Sequence, residues 1–371
     1  MDITATRHRG RHDPHDDHQD AGMSGEERIM NGAGMTPFIQ VLFAATLVFA
    51  VLYFARIVFE PIAFALFGMA IIWPFQKAVE SKMPKPAALI LTILLTLFVI
   101  FVLASAIIWS TGDIIHWVFT NVARFQSLYM RTTQWLEGHG IFVTEGLGPY
   151  DVRAFIGVAQ GVAMGVNYFI GFCVIVFLLL TFGVIELSVF RLHVEELQST
   201  IDWNVSQTVD EIARRIRKYM LIRTLASVVT GVAVFAFTFI MGLDLAIEWG
   251  VISFVLNYIP YIGPLIAVVF PVLFATAQFQ SWPMAMAIFV GLYTIQFSIG
   301  NYFEPVITGK ALSISPFVML VAFFFWAFLW GIPGAFIGLP VTIAIFTICE
   351  QNPSSRWIVR LLSTSGAPLV N

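Results

Sequence analysis

The chain has 371 residues, 58% of them hydrophobic and 12% charged, with a mean hydropathy of +0.83; soluble domains average roughly 45–50% apolar and 25% charged residues, so the composition excludes an ordinary soluble domain and describes an integral membrane protein. A net charge of −3, with no basic run interleaved with aromatics, gives no footing for nucleic acid. The two cysteines, Cys173 and Cys349, both lie in apolar segments and form neither a disulfide framework nor a thiolate metal site.

Residues 1–36 carry seven acids, four arginines and four histidines among few large apolar side chains. So little apolar surface cannot offset chain entropy, and the composition predicts a disordered, His-rich cytoplasmic tail. His8, His12, His15 and His18 have ligand chemistry but no supporting residues to fix their rings, and no metal site is assigned to them. No cleavable signal peptide is expected, because the first apolar run is too long for a signal core.

The transmembrane domain is expected over residues 37–350. Crossing a bilayer core takes about 20 apolar residues, and Pro37–Phe59 (broken only by Arg56), Ala87–Ile108, Val162–Ile185 and Met220–Met241 meet that length. A shorter run, Ile62–Trp73, follows Glu60-Pro61, where proline removes a helical hydrogen bond, and is expected as a short second span. Residues 111–160 place Ile114, Val118, Val122, Phe125 and Tyr129 at helical spacing before a Gly-rich turn, which predicts an external amphipathic region. Val205, Val209, Ile212 and Ile216 likewise line one face of a cytoplasmic amphipathic helix expected within 189–219.

Lys77, Lys82 and Lys85, then Arg214, Arg215, Arg217 and Lys218, then Arg356 and Arg360 all fall on one side if the N-terminus is cytoplasmic. Cytoplasmic loops are enriched in such residues. The expected protein therefore sits in the cytoplasmic (inner) membrane as a multi-pass chain with both termini, including a tail at 351–371, in the cytoplasm.

Beyond residue 241 the apolar stretches stop dividing cleanly. Residues 244–278 would run about 50 Å as one helix, too long for a single ordinary crossing, and the break falls at "NYIPYIGP", where Asn257 precedes Pro260, Gly263 and Pro264. Residues 311–349 are interrupted in the same way at "GIPGAFIGLP", through Gly331, Pro333, Gly334, Gly338 and Pro340. Lipid cannot satisfy freed backbone groups, so unwound chain at membrane depth must be buried in protein or line a watery cavity. Discontinuous helices aim their termini at ions and polar solutes in many transporters.

Between Trp249 and Cys349 the only charged side chains are Glu304 and Lys310. On a helix ending at Pro305, Gln296, Gly300 and Glu304 recur at i, i+4 and i+8 with Asn301 beside them, a polar stripe ending in a carboxylate. An ionisable residue in such surroundings is a functional candidate. Catalytic signals are absent: there is no His-Glu-x-x-His, no Gly-x-Ser-x-Gly, and "TGKA" at 308–311 lacks the glycine and hydroxyl of a phosphate-binding loop. No enzyme activity, cofactor or ATP-driven step is expected.

The three segments "NYIPYIGPLIAVVFPVLFA", "GNYFEPVITGKALSISPFVML" and "GIPGAFIGLPVTI" resemble the C-terminal hallmarks of the autoinducer-2 exporter family of bacterial and archaeal membrane proteins. The resemblance implies an all-α, polytopic bundle of about eight transmembrane segments, two of them broken or re-entrant. It also implies a secondary transporter that exports a small polar solute such as autoinducer-2, the currency of quorum sensing, or in some members exchanges sodium for protons. Carried over by position, it marks Asn257, Pro260, Gly263 and Pro264, then Glu304, Pro305, Gly309 and Lys310, then Gly331, Gly334, Gly338 and Pro340, with Glu304 as the proton- or cation-binding group. The expected partners are the lipid bilayer, the solute, and a proton or sodium ion. The small-residue spacing of "GVAMG" at 161–165 is compatible with a homo-oligomer. The alternative of another class is a membrane scaffold or regulator that moves nothing.

Overall fold

The computed structural model describes residues 37–140, 152–198, 205–303, 315–352 and 355–362, and every regular element among them is helical. The chain divides into two units. The first, Met1–Phe54, contributes α1 (Pro37–Phe54), an apolar helix whose Thr46 hydroxyl is satisfied by the Leu42 carbonyl at 2.8 Å. The second, Ala55–Asn371, contains α2 (Arg56–Glu80), α3 (Lys85–Thr120), α4 (Val122–Gly138), α5 (Val152–Gln198) and α6 (Val205–Ile240). It continues with α7 (Ala246–Leu256), α8 (Ile262–Phe279), α9 (Trp282–Ser298), a π-helical turn (Ile299–Phe303), α10 (Pro316–Gln351) and α11 (Arg356–Leu362). Among the described residues seven helices are long and apolar enough to cross a membrane, and Ile39–Phe54 and Ala246–Leu256 are shorter apolar helices. The class is an all-α, multi-pass membrane protein with two broken segments.

One boundary is corrected. The first break falls at Ala55 (φ −94°, ψ 24°) and not at Glu60-Pro61, so the expected short span from Ile62 is part of a single 25-residue helix. Pro61 sits in the second turn, where it withholds one hydrogen bond, a loss that membrane helices accommodate. The expected 189–219 helix lies on the last turns of α5 and the first turns of α6, outside residues 199–204, and Val205 to Ile216 run on without interruption into the span beyond Met220.

α2 and α5 pack side by side in the same direction. Phe64 meets Phe172 edge-on at 5.0 Å, and further along a Cβ on Gly68 would overlap Leu180 and one on Gly183 would overlap Met69. α6 and α7 approach until a Cβ on Gly231 would lie 2.9 Å from the Gly250 carbonyl oxygen, and one on Gly250 2.9 Å from that of Gly231. Such backbone approach is the usual way helices associate where lipid supplies no hydrophobic drive. A core of Val234, Leu243, Trp249, Phe274, Ile288 and Leu292 joins α6, α7, α8 and α9.

The segment 244–278 is a helical hairpin. Trp249 on α7 meets Phe274 on α8 at 5.2 Å, the Asp244 N–H donates to Gln278 Oε1 at 2.9 Å, and Gln278 Nε2 donates to the Gly242 carbonyl at 2.9 Å. The chain thus enters and returns at one end, which Trp117 of α3 seals by donating to Asp244 Oδ2 at 3.1 Å. At the tip Tyr261 takes φ 62°, ψ −54°, while the Ile262 N–H reaches the Pro260 carbonyl at 2.7 Å, a strained γ-turn. A Cβ on Gly263 would overlap the Leu256 carbonyl, so this close reversal requires glycine.

α10 is a second hairpin, hinged at Gly331 (φ 65°, ψ −138°). Residues eight apart in a straight helix are separated by about 12 Å, yet a Cβ on Gly334 would overlap the Trp326 carbonyl, and Trp326 Nε1 donates to Thr342 Oγ1 at 3.0 Å. The limbs 316–330 and 332–351 are therefore antiparallel, about 22 and 30 Å long. Both outer ends lie by α11: the Ser315 N–H points to the Leu362 carbonyl at 3.4 Å, and Arg356 Nε donates to the Glu350 carbonyl at 2.8 Å.

Candidate functional site

α6 serves as a ruler for depth, because side chains along it touch both hairpins. Near its start, Arg215 Nη1 contacts Glu350 Oε2 at 2.6 Å and Thr347 Oγ1 at 3.4 Å, at the open end of the second hairpin. Its far end, Ile240, leads into Gly242 and the open end of the first hairpin. Between them the Tyr258 hydroxyl donates to Thr224 Oγ1 at 2.9 Å, and Asn257 Nδ2 donates to Ser227 Oγ at 3.2 Å. Thr224 is about 13 Å along the helix from Arg215 and about 24 Å from Ile240. The two hairpins enter from opposite ends of α6, and the first reaches most of the way across.

Their inner parts meet. The Tyr258 ring stacks on Phe336 with centroids 5.3 Å apart, and Phe336 stacks on Phe64 of α2 at 5.8 Å. Around this aromatic contact sit the buried Asn257, Ser227, Ser253 and Arg223, the last acting electrostatically on the Tyr258 phenol. Among the described residues Ser253 Oγ and Gln296 Nε2 are buried without a hydrogen-bond partner. Polar atoms in that condition, beside helices opened by proline, fit a zone that takes up water or a polar solute.

α9 carries the polar stripe against α6. The Phe237 ring of α6 fills the space over Gly291 of α9. The π-helical turn that continues α9 also packs against α6. Such wide turns are frequent at functional sites. The turn also alters the expected stripe. Gln296 is 8% exposed, whereas Asn301 is exposed and donates Nδ2 to the Phe297 carbonyl at 3.0 Å, so the two amides lie in different surroundings. Glu304, Pro305, Gly309 and Lys310 lie outside the described residues.

Among the breaking residues, Pro260, Gly263 and Pro264 shape the first tip and its return, and Gly331 and Pro333 the second. Gly334, Gly338 and Pro340 are buried, and the two glycines press against Trp326 inside the second hairpin. Sequence reasoning missed Arg223, Tyr258, Phe336 and Glu60. Two of these carried a readable signal, since Arg223 is a charge within the apolar run 220–241 and Glu60 a carboxylate between two apolar runs. The aromatic contact carried none, because it joins residues 78 positions apart. A separate groove of about 350 Å³ between α3, α6 and α7, lined by side chains such as Leu103, Val232, Phe235 and Ile247, is almost wholly apolar and suits acyl chains, not a polar solute.

The family model described as AI-2E family transporter matches residues 42–353. The chain is 38% identical over 190 residues to a putative transport protein of Borreliella burgdorferi, covering 50% of this chain and 52% of that one. It is 30% identical over 159 residues to the AI-2 transport protein TqsA of Escherichia coli, 43% of this chain and 45% of that protein. Over 154 residues it is 30% identical to a putative transport protein of Haemophilus influenzae, with 42% and 44% covered. The chain spans about half the length of the curated relatives it matches.

Proposed function

This chain belongs to the AI-2E family of membrane transporters, and from that premise we propose that it is a secondary transporter whose solute path passes where the two hairpins meet. The observation that carries the reading is the Tyr258–Phe336 contact between hairpins inserted from opposite ends, with freed backbone and buried polar side chains around it. Such an arrangement gives a solute a polar station deep in the bilayer, flanked on each side by a helical element able to move separately.

In this reading Glu304 exchanges a proton or cation with each solute moved, and Asn257, Gln296, Asn301 and Lys310 supply polar contacts along the way. The solute is small and polar, and the printed name of the Escherichia coli relative supports autoinducer-2 as the first to try. The clustering of lysine and arginine supports a cytoplasmic membrane location with both termini inside.

The test is reconstitution of the full chain in liposomes, following internal pH under imposed sodium gradients alongside uptake of labelled autoinducer-2. Solute movement that ceases in Glu304→Gln supports the proposal. A sodium-driven pH change without solute movement would replace it with sodium/proton exchange, and neither flux would leave a scaffold.

A further inference from the structure

Glu60 lies apart from the polar zone between the hairpins. It is 2% exposed within α2, a helix that leaves large apolar side chains such as Ile57, Val58 and Leu66 exposed. The Ala70 carbonyl accepts a 3.0 Å bond from Arg217 Nη1, and Glu60 is about 15 Å along the helix from that point, well away from the basic cluster of α6. A carboxylate buried in a helix of membrane-spanning length is costly and is a functional candidate by default.

Its surroundings are simple. Glu60 Oε2 accepts a 2.9 Å hydrogen bond from the Tyr168 hydroxyl of α5, and Arg56, one turn earlier on α2, faces it electrostatically. α3, α6 and α10 also pack on α2 and bring Glu60 no hydrogen bond or ion pair among the described residues. One carboxylate and one phenol fall well short of the oxygen shell that a hard metal cation requires, and the Arg56 charge opposes a second positive ion. A proton needs no such shell. It binds one carboxylate oxygen and cancels the charge.

We propose that Glu60 is a reversible proton-binding site at the seam between α2 and α5, read by the hairpins through Phe64. In the ionised state Glu60 accepts from Tyr168 and attracts Arg56. On protonation the attraction to Arg56 is lost and the carboxyl gains an O–H donor while one oxygen can still accept from Tyr168, so the charge and hydrogen bonding at the seam change. Phe64 follows Glu60 by one helical turn, meets Phe172 across the seam, and stacks on Phe336, which stacks on Tyr258. A shift at the seam is thus one turn from the meeting point of the hairpins. The use of that proton in flux rests on the transport reading, but its binding does not.

The experiment is pH-difference infrared spectroscopy of the full chain in liposomes, where a protonated carboxyl gives its own C=O stretching band whether or not solute moves. The wild type is expected to show a titrating band that Glu304→Gln leaves at least partly in place and that Glu60→Gln loses. Glu60→Asp, which keeps a carboxyl group, should retain it, and circular dichroism reports the fold of each variant. Hydrogen exchange at residues 257–263, corrected for intrinsic rates, should change across the same pH range in the wild type and stay constant in Glu60→Gln. A band that persists unchanged in folded Glu60→Gln, or is missing from both the wild type and folded Glu60→Asp, overturns the site. Exchange at the tip that ignores Glu60 overturns its link to the hairpins.

Discussion

Tyr258 and Phe336 stack with ring centroids 5.3 Å apart and planes 26° from parallel, although one is reached from the Asp244 end of α6 and the other from the Glu350 end. Aromatic pairs contribute about 0.5–1.5 kcal/mol beyond their buried area. A double-mutant cycle of Tyr258→Ala and Phe336→Ala, followed by unfolding in detergent, is expected to return a coupling of about that size. Strict additivity would mean that the stacked rings add no coupling energy between the hairpins.

The hinge of the second hairpin makes its own prediction. Gly331 has a backbone conformation that L side chains rarely adopt, and Gly334 has no room for a methyl group against the Trp326 carbonyl. Gly331→Ala should cost about 1–3 kcal/mol through backbone strain, and Gly334→Ala a comparable amount through overlap. Gly300→Ala meets nothing within 4 Å and serves as the control, with an expected change within about 1 kcal/mol. Thermal unfolding of the three variants checks the order.

At the open end of the same hairpin, Arg215 joins α6 to Glu350, with side-chain exposures of 32% and 27%. Partly solvated pairs of this kind contribute up to about 1 kcal/mol and weaken as salt rises. Glu350→Gln should therefore lower stability modestly in dilute buffer and hardly at all in concentrated salt. An equal loss in both conditions would point to packing in place of charge.

Asn257 separates structure from transport. Its bond to Ser227 resembles the side-chain bonds between membrane helices that average about 0.6 kcal/mol, so Asn257→Ala should fold and insert almost normally. If the residue also contacts solute, flux in liposomes should drop by tenfold or more while the unfolding midpoint barely moves. Parallel losses in both measurements would confine Asn257 to a structural role.

Much of this fold could be read from the chain because its rules are local. Apolar run length located most of the spans, and Pro260, Gly263, Gly331 and Pro333 announced the two breaks, since each changes backbone geometry whatever surrounds it. Pro61 misled for the complementary reason. Proline early in a helix removes a bond that membrane surroundings can forgo, and the actual break at Ala55 has no residue type that marks it. The direction of the hairpins was not legible, because it depends on pairs such as Asp244 with Gln278 and Trp326 with Thr342, which only the folded chain brings together. For the site, the unwound tip residues were legible and their neighbours Ser227 and Phe336 were not. The stripe through Gln296 and Asn301 assumed an unbroken α-helical period, which the π-helical turn interrupts.

The glycine crossing of α6 and α7 bears on how the first hairpin travels. At Gly231 and Gly250 main chain meets main chain, and each glycine also receives the root of a phenylalanine from the facing helix, Phe254 at Gly231 and Phe235 at Gly250. Both notches are thus filled, so sliding α7 along α6 would have to unseat Phe254 and Phe235 together, and the crossing keys the base of the first hairpin to α6.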